Sequence, residues 1–419
     1  MSEQLTIFDQ PIETNPRPVV FAPPQRKTYV LRDYQKAASN AAVNFFTGKL
    51  GDGNALIVCP TGSGKSLIIA DIATRLEGKL LVFQPSKEIL EQNFAKYRSY
   101  GFYDCAVYSA SMNSKKRARV TFATIGSVMS HPELFDAYEH IIVDECHLTN
   151  AKGGRYKDFF EMGDRRILGL TATPYRLVSY EQGCILKFLT RTRPRIFSKL
   201  IYQVPIQTLM SRGYLARLRY FDMQLIDVSG VKRNSTGQDY DEASLRRAYE
   251  MQDLNGKLVE VVNRLRAPKD GSKRHGILVF TRFIEESEWL VKQLGSCAEI
   301  VTGDTPKKER ERILKDFKAG KIEIVSNVGV LTTGFDFPEL DTIVMARPTM
   351  SLAMYYQIVG RGIRPSEGKN GWFVDMCGNV GRFGKVDDLE IMEETPGRGT
   401  WCVYGRVSGE RKQLTNIFF

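Results

Sequence analysis

Ala55-Leu-Ile-Val-Cys59-Pro-Thr61-Gly62-Ser63-Gly64-Lys65-Ser66 decides the fold of this chain. An apolar run ends in a glycine-rich turn, and Ser66–Leu76 beyond it has a helical pattern, so the segment reads as strand, turn, helix. Such a turn can surround phosphate oxygens with the backbone N–H groups of Thr61, Gly62, Ser63 and Gly64, and the following helix N-terminus favours negative charge. Lys65 is then placed for the β and γ phosphates of a nucleoside triphosphate and Ser66 for Mg²⁺. Cys59 stands where the G-x-x-x-x-G-K-S/T pattern has its first glycine, so the surrounding strand and helix carry the reading as much as the motif does. The alternative is a tight turn with no ligand.

Two further segments complete the site. Val143-Asp144-Glu145-Cys146-His147 follows the apolar Ile141-Ile142-Val143 and sets two carboxylates at a strand end. Asp144 suits Mg²⁺, directly or through water, Glu145 suits orientation of an attacking water, and His147 can relay between nucleotide and cleft. An acidic pair at a strand end is otherwise a solvated terminus. Gln357-Ile-Val-Gly360-Arg361-Gly362-Ile-Arg364 puts two arginines three residues apart, on one face of a helix, where both can reach a γ-phosphate across a cleft. They could instead be surface ion-pair donors.

Strand-like runs at 55–59, 79–84, 119–123, 140–143 and 167–171 alternate with helical patterns, and a second series begins near 274, at 276–281, 298–302, 322–326, 342–346 and 371–375. This is α/β organisation: two tandem domains, each a mostly parallel sheet with helices on both faces, with the ATP site in the cleft between them. The expected divisions are an arm over 1–27, a first domain over 28–195, a basic connector over 196–255, a second domain over 256–385 and a tail over 386–419. The second series has no phosphate turn, so the pair shares one nucleotide site.

The 419 residues, 42% hydrophobic and 26% charged, fit a globular two-domain protein. No apolar run is long enough to cross a bilayer and the N-terminus has no signal-peptide pattern, so a cytoplasmic location is expected. Seven cysteines without a C-x-x-C pair, with four histidines, predict reduced thiols and no zinc site. The net charge of +11 is uneven: Arg191, Arg193, Arg195, Lys199, Arg212, Arg217 and Arg219 form one basic stretch and Lys115, Lys116, Arg117 and Arg119 another. Such clusters suit phosphate backbones, or a solvated surface.

These segments together resemble those of a superfamily 2 helicase or translocase with two RecA-like domains, over about residues 29 to 385. The resemblance implies adenine contact by Gln35 in Leu31-Arg32-Asp33-Tyr34-Gln35, with Arg32 against the base. It implies nucleic-acid contacts by Pro85 and Ser86, by Thr124, by Thr281 and Arg282, and by Thr302 and Gly303. Thr171 and Thr173 would link hydrolysis to strand movement, and Gly334 and Asp336 would couple the two sites. Arg212-Gly-Tyr-Leu215, Gln357–Pro365 and Asp375-x-x-Gly378-Asn379-Val380-x-Arg382 resemble the RadD and UvsW-like DNA repair branch, which points to DNA. The acidic motif differs, with Cys146 where many relatives have alanine, and the tail lacks the cysteine cluster of longer relatives. Gln4-Leu5-Thr6-Ile7-Phe8 resembles the pentapeptide with which bacterial replication proteins dock on the sliding clamp; incidental packing is the alternative. The function implied is an ATP-dependent DNA helicase or translocase acting in replication, recombination or repair. An RNA helicase and an ATP-gated binding switch without unwinding are the other readings.

Overall fold

The computed structural model describes residues 29–418 apart from 181, 182, 268, 270, 272, 273, 275 and 333. The arm over 1–27 and the clamp-like Gln4–Phe8 lie outside the described residues. Strand Ala55–Val58 is buried along its whole length, as a continuous run of apolar residues requires when helices cover both faces of a sheet. It sits near one edge of an eight-stranded sheet in the order 199–203, 55–58, 166–171, 140–144, 80–83, 120–123, 105–109 and 114–115. Every pairing is parallel except the last.

The second sheet has six parallel strands in the order 218–222, 371–375, 342–346, 277–281, 324–327 and 298–301. Alternate residues of its strands serve opposite faces. Leu278, Phe280, Ile343 and Met345 join the core that includes helix Leu352–Gly362, while Ile277, Val279, Val344 and Ala346 pack with Leu258, Val262 and Leu290. Two tandem RecA-like domains are therefore present. No helix among the described residues is long and apolar enough to cross a membrane.

The stretch 196–255, expected as a connector or accessory segment, joins the two domains but is not a separate segment between them. Lys199–Gln203 is an edge strand of the first sheet and Leu218–Asp222 an edge strand of the second, with helix Ile206–Ser211 between them, and helix Glu242–Met251 packs in the second core. Nor does its basic run form one patch. Arg191 pairs with Glu394, Arg212 with Asp33, the Lys199 ammonium donates to the Leu50 carbonyl, and the Arg219 guanidinium lies over Trp372. In the other cluster, Arg119 is tied to Asp104 and to the carbonyls of Ala73 and Leu76.

The tail is also built in. Glu390–Glu393, Trp401–Val407 and Glu410–Gln413 form an antiparallel sheet, held to the first domain by bonds from Gln203 Nε2 to Ile391 O (3.1 Å) and from Gln207 Nε2 to Leu389 O (3.0 Å). Further contacts reach the second domain: a Cβ at Gly405 would meet the Phe383 carbonyl at 2.7 Å, and Gly384 has a left-handed backbone that a side chain would drive into Arg406.

Candidate active site

The phosphate turn takes its shape from two left-handed glycines, Gly62 at φ +85° and Gly64 at φ +81°. Both also lack room for a side chain: a Cβ would lie 2.9 Å from Leu215 at Gly62 and 2.6 Å from Gln35 Nε2 at Gly64. Cys59, where the motif's first glycine would be, is fully buried, and burial pushes its thiol up to about 12. The Ser63 amide donates to Pro60 O (3.1 Å) and closes the turn from inside. In this conformation the Ser63 amide, expected to face phosphate, is engaged within the turn itself.

Tyr34 and Gln35 brace the turn from behind. The Tyr34 hydroxyl (2.7 Å) and Gln35 Nε2 (2.8 Å) both donate to the Ser63 carbonyl, and Gln35 Oε1 accepts from the Arg32 amide at 2.9 Å. Gln35 is buried with both ends of its amide engaged, so in this conformation it supports the phosphate turn. Arg32 lies 4.0 Å over the Tyr214 ring.

Lys65 Nζ is 3.2 Å from Glu145 Oε1, with both side chains largely shielded. Burial would raise the Glu145 pKa, but Lys65 and His147 overcome it and hold the carboxyl below the usual range. Asp144 is pushed the other way, by burial and by the neighbouring Glu145 charge. Its Oδ2 accepts from Asn93 Nδ2 (3.0 Å) and its Oδ1 from the Glu145 amide (3.0 Å). The sequence reading missed Asn93, and the signal was faint: a polar residue in the buried stripe of helix Lys87–Ser99, between Leu90 and Tyr97.

The second domain closes the cleft. Arg361, 8% exposed, donates from Nη1 to Phe335 O (2.8 Å) and from Nε to Gln357 O (3.3 Å), and burial together with Arg364 lowers its pKa to about 10, leaving it charged at neutral pH. It lines one cavity with Gly62, Lys65, Ser66, Asp144 and Glu145. Arg364 lies near Asp336 (3.6 Å), and the Gly334 carbonyl accepts from Gln92 of the first domain at 3.3 Å. Helix Leu352–Gly362 approaches so closely that a Cβ at Gly360 would stand 3.2 Å from Thr61.

His147 joins the halves. Its Nε2 lies 3.0 Å from Gln357 Nε2, which can only donate, so Nε2 accepts and Nδ1 carries the proton toward Thr171 Oγ1 (3.0 Å) and Glu145 Oε2 (3.4 Å). Thr171 Oγ1 also accepts from the Thr173 amide at 3.0 Å. A continuous chain thus runs from Glu145 through His147 to Gln357 in the second domain. A double-mutant cycle with His147→Ala and Gln357→Ala on kcat should return a coupling of about 1 kcal/mol, and additive losses would disprove the link.

The strand-contact candidates divide. Pro85 and Thr124 line one groove with Gln84, Ser127 and Arg155, while the Ser86 hydroxyl caps helix Lys87–Ser99 by accepting from Ile89 N at 3.4 Å. Thr302 accepts from the Asp304 amide at 3.3 Å, and Gly303 faces open space. Thr281 is fully buried, its hydroxyl spent on Phe283 O (3.1 Å) and Ser287 (2.8 Å), so the expected contact by its side chain is not available. Arg282 is paired with Asp239 at 3.0 Å and Glu242 at 3.3 Å.

Known families match both domains. The family described as "Type III restriction enzyme, res subunit" matches residues 28–176, and "Helicase conserved C-terminal domain" matches residues 256–366. A 51.5 kDa protein of a Lactococcus phage is 27% identical over 79% of this chain and 67% of its own length. The DNA 3'-5' helicase XPB of Kineococcus radiotolerans is 26% identical over 80% of this chain and 58% of its own length. The chain thus spans roughly three-fifths to two-thirds of these relatives. Among solved structures, the ATP-dependent Type ISP restriction-modification enzyme LlaBIII bound to DNA superposes with a TM-score of 0.62 at 22% identity, over 83% of this chain and 28% of that one. Two matched modules in this order, closing on one shared phosphate site, place the chain among the superfamily 2 helicases.

Proposed function

We propose that the chain is an ATP-dependent DNA motor, a helicase or translocase that remodels branched or duplex DNA in replication, recombination or repair, of the RadD and UvsW-like kind. One observation carries this reading: Arg361 of the second domain lies in the same cavity as Lys65 and Glu145 of the first. A site completed only by closure makes domain movement and hydrolysis one event.

Lys65 would exchange its Glu145 partner for the β and γ phosphates, freeing that carboxylate to orient water. Arg361 and Arg364 would meet the charge that develops on the transferred phosphoryl group. Ser66 and Asp144 suit Mg²⁺, which takes few protein ligands and shares the rest of its shell with phosphate and water. When bound, Mg²⁺ neutralises phosphate charge. His147 and Gln357 would transmit the state of the site across the cleft. The strand would be held by its backbone, as the groove at Pro85 and Thr124 suits, so binding should weaken with salt and ignore base sequence.

The test is ATPase rate without nucleic acid and with single-stranded DNA, duplex, fork and RNA, with Glu145→Gln as the blank. Stimulation by DNA on the order of tenfold, with little from RNA, is the expected pattern. Stimulation by RNA alone would move the chain to RNA remodelling, and DNA-stimulated hydrolysis without movement on any substrate would make it an ATP-gated switch.

A further inference from the structure

Thr281 and Ala346 are paired neighbours in adjacent parallel strands, roughly 4.8 Å apart, and the next residue of each strand is an arginine. Arg282 and Arg347 therefore leave the carboxyl end of the second sheet side by side, where ligands of such sheets bind. Two guanidinium groups so placed need an anion between them. Arg282 has one in Asp239 Oδ2 at 3.0 Å, and its Nη2 also reaches Glu242 on the outer side at 3.3 Å.

Arg347 is only 4% exposed, yet its Nε and Nη2 have no hydrogen-bond partner, and neither does Asp239 Oδ1. A buried guanidinium with idle N–H groups is costly unless something completes it. Burial and nearby Arg282 already lower its pKa.

Asp239 comes from the loop between strand Leu218–Asp222 and helix Glu242–Met251. The same loop is fastened to the first domain's hairpin, strands Tyr175–Tyr180 and Gly183–Phe188. Ser179 Oγ donates to Thr236 O (2.7 Å), Gln238 Nε2 donates to Ser179 Oγ (2.8 Å), and the Cys184 thiol donates to Gly237 O (2.9 Å).

We propose that Arg282 and Arg347 form a phosphodiester-binding pocket on the second domain, and that Asp239 occupies it as a stand-in for the phosphate until a nucleic-acid strand displaces it. This deepens the DNA-motor reading and rests on it. A phosphate offers more acceptor oxygens than one carboxylate, so it can satisfy both arginines where Asp239 serves only one. Because the loop is anchored on the other domain, ejecting Asp239 pulls on the hairpin, so strand capture reaches the first domain mechanically.

The experiment is binding of a fluorescent oligothymidylate to the full chain over a range of salt concentrations. Arg347→Gln should weaken binding roughly tenfold and reduce the slope of log affinity against log salt by about one, with Arg347→Lys retaining most of the slope. Asp239→Asn lies on a partly exposed loop and tests the proposal even if Arg347→Gln fails to fold. It should tighten binding about fivefold, and that gain should vanish when Arg282→Gln is also present. Wild-type binding with no tightening in Asp239→Asn and no change of slope in the Arg347 variants overturns the pocket alone. No binding by the wild type overturns the motor reading with it.

Discussion

Arg361→Ala should lower kcat for ATP by roughly 10³- to 10⁵-fold, the range over which an arginine supplied from a second domain acts in phosphoryl transfer. The reason is geometric. Arg361 is held from two sides, by Phe335 O and the Gln357 carbonyl, so its remaining N–H groups are aimed and not searching. KM should change far less, since the charge it meets grows during reaction. Arg361→Lys should rescue little, because an ammonium is a point charge without the planar fork that spans two oxygens. The measurement is steady-state turnover at saturating ATP, with thermal unfolding as the check on folding. Turnover near wild type in Arg361→Ala would sink the shared-site reading.

Glu145→Gln should reduce hydrolysis by roughly 10²- to 10⁴-fold, the contribution of a positioned base, while ATP binds more tightly than to the wild type. The gain follows from the 3.2 Å contact between Lys65 and Glu145. In the native chain the incoming phosphates must take Lys65 from a carboxylate; in the variant Lys65 waits for them. Trapping of ATP with the domains closed, read as slow release of a fluorescent analogue, is the expected signature. Equal loss of binding and turnover would mean that Glu145 mainly positions Lys65.

The centre of each sheet was more legible in the sequence than its margins, for one physical cause. Ala55–Val58, Ile277–Thr281 and Thr342–Ala346 are buried on both faces, and burial demands unbroken apolar runs that need no context to recognise. Lys199–Gln203 is partly exposed at every residue, and Leu218–Asp222 carries Arg219 outward; each edge strand is half solvent, so its apolar signal is diluted by the charges that protect an edge. Lys65, Asp144, Glu145 and Arg361 were legible because phosphate chemistry restricts residue type and spacing. Asn93 and the Asp239 pairing were not, because each depends on a partner distant in sequence, and nothing local requires it. Thr281 shows the converse, a motif position whose side chain the fold uses for its own packing.

Cys59 has a consequence for chemical durability. Electrophiles and peroxides attack cysteine as the thiolate and only where they can reach it. Cys59 is shut away from solvent and held protonated, with its pKa raised to about 12. Alkylating reagents should therefore spare the phosphate turn, although a sulfur atom sits at its base. The partly exposed Cys105 and Cys297, one in each domain, are left as the first to be modified.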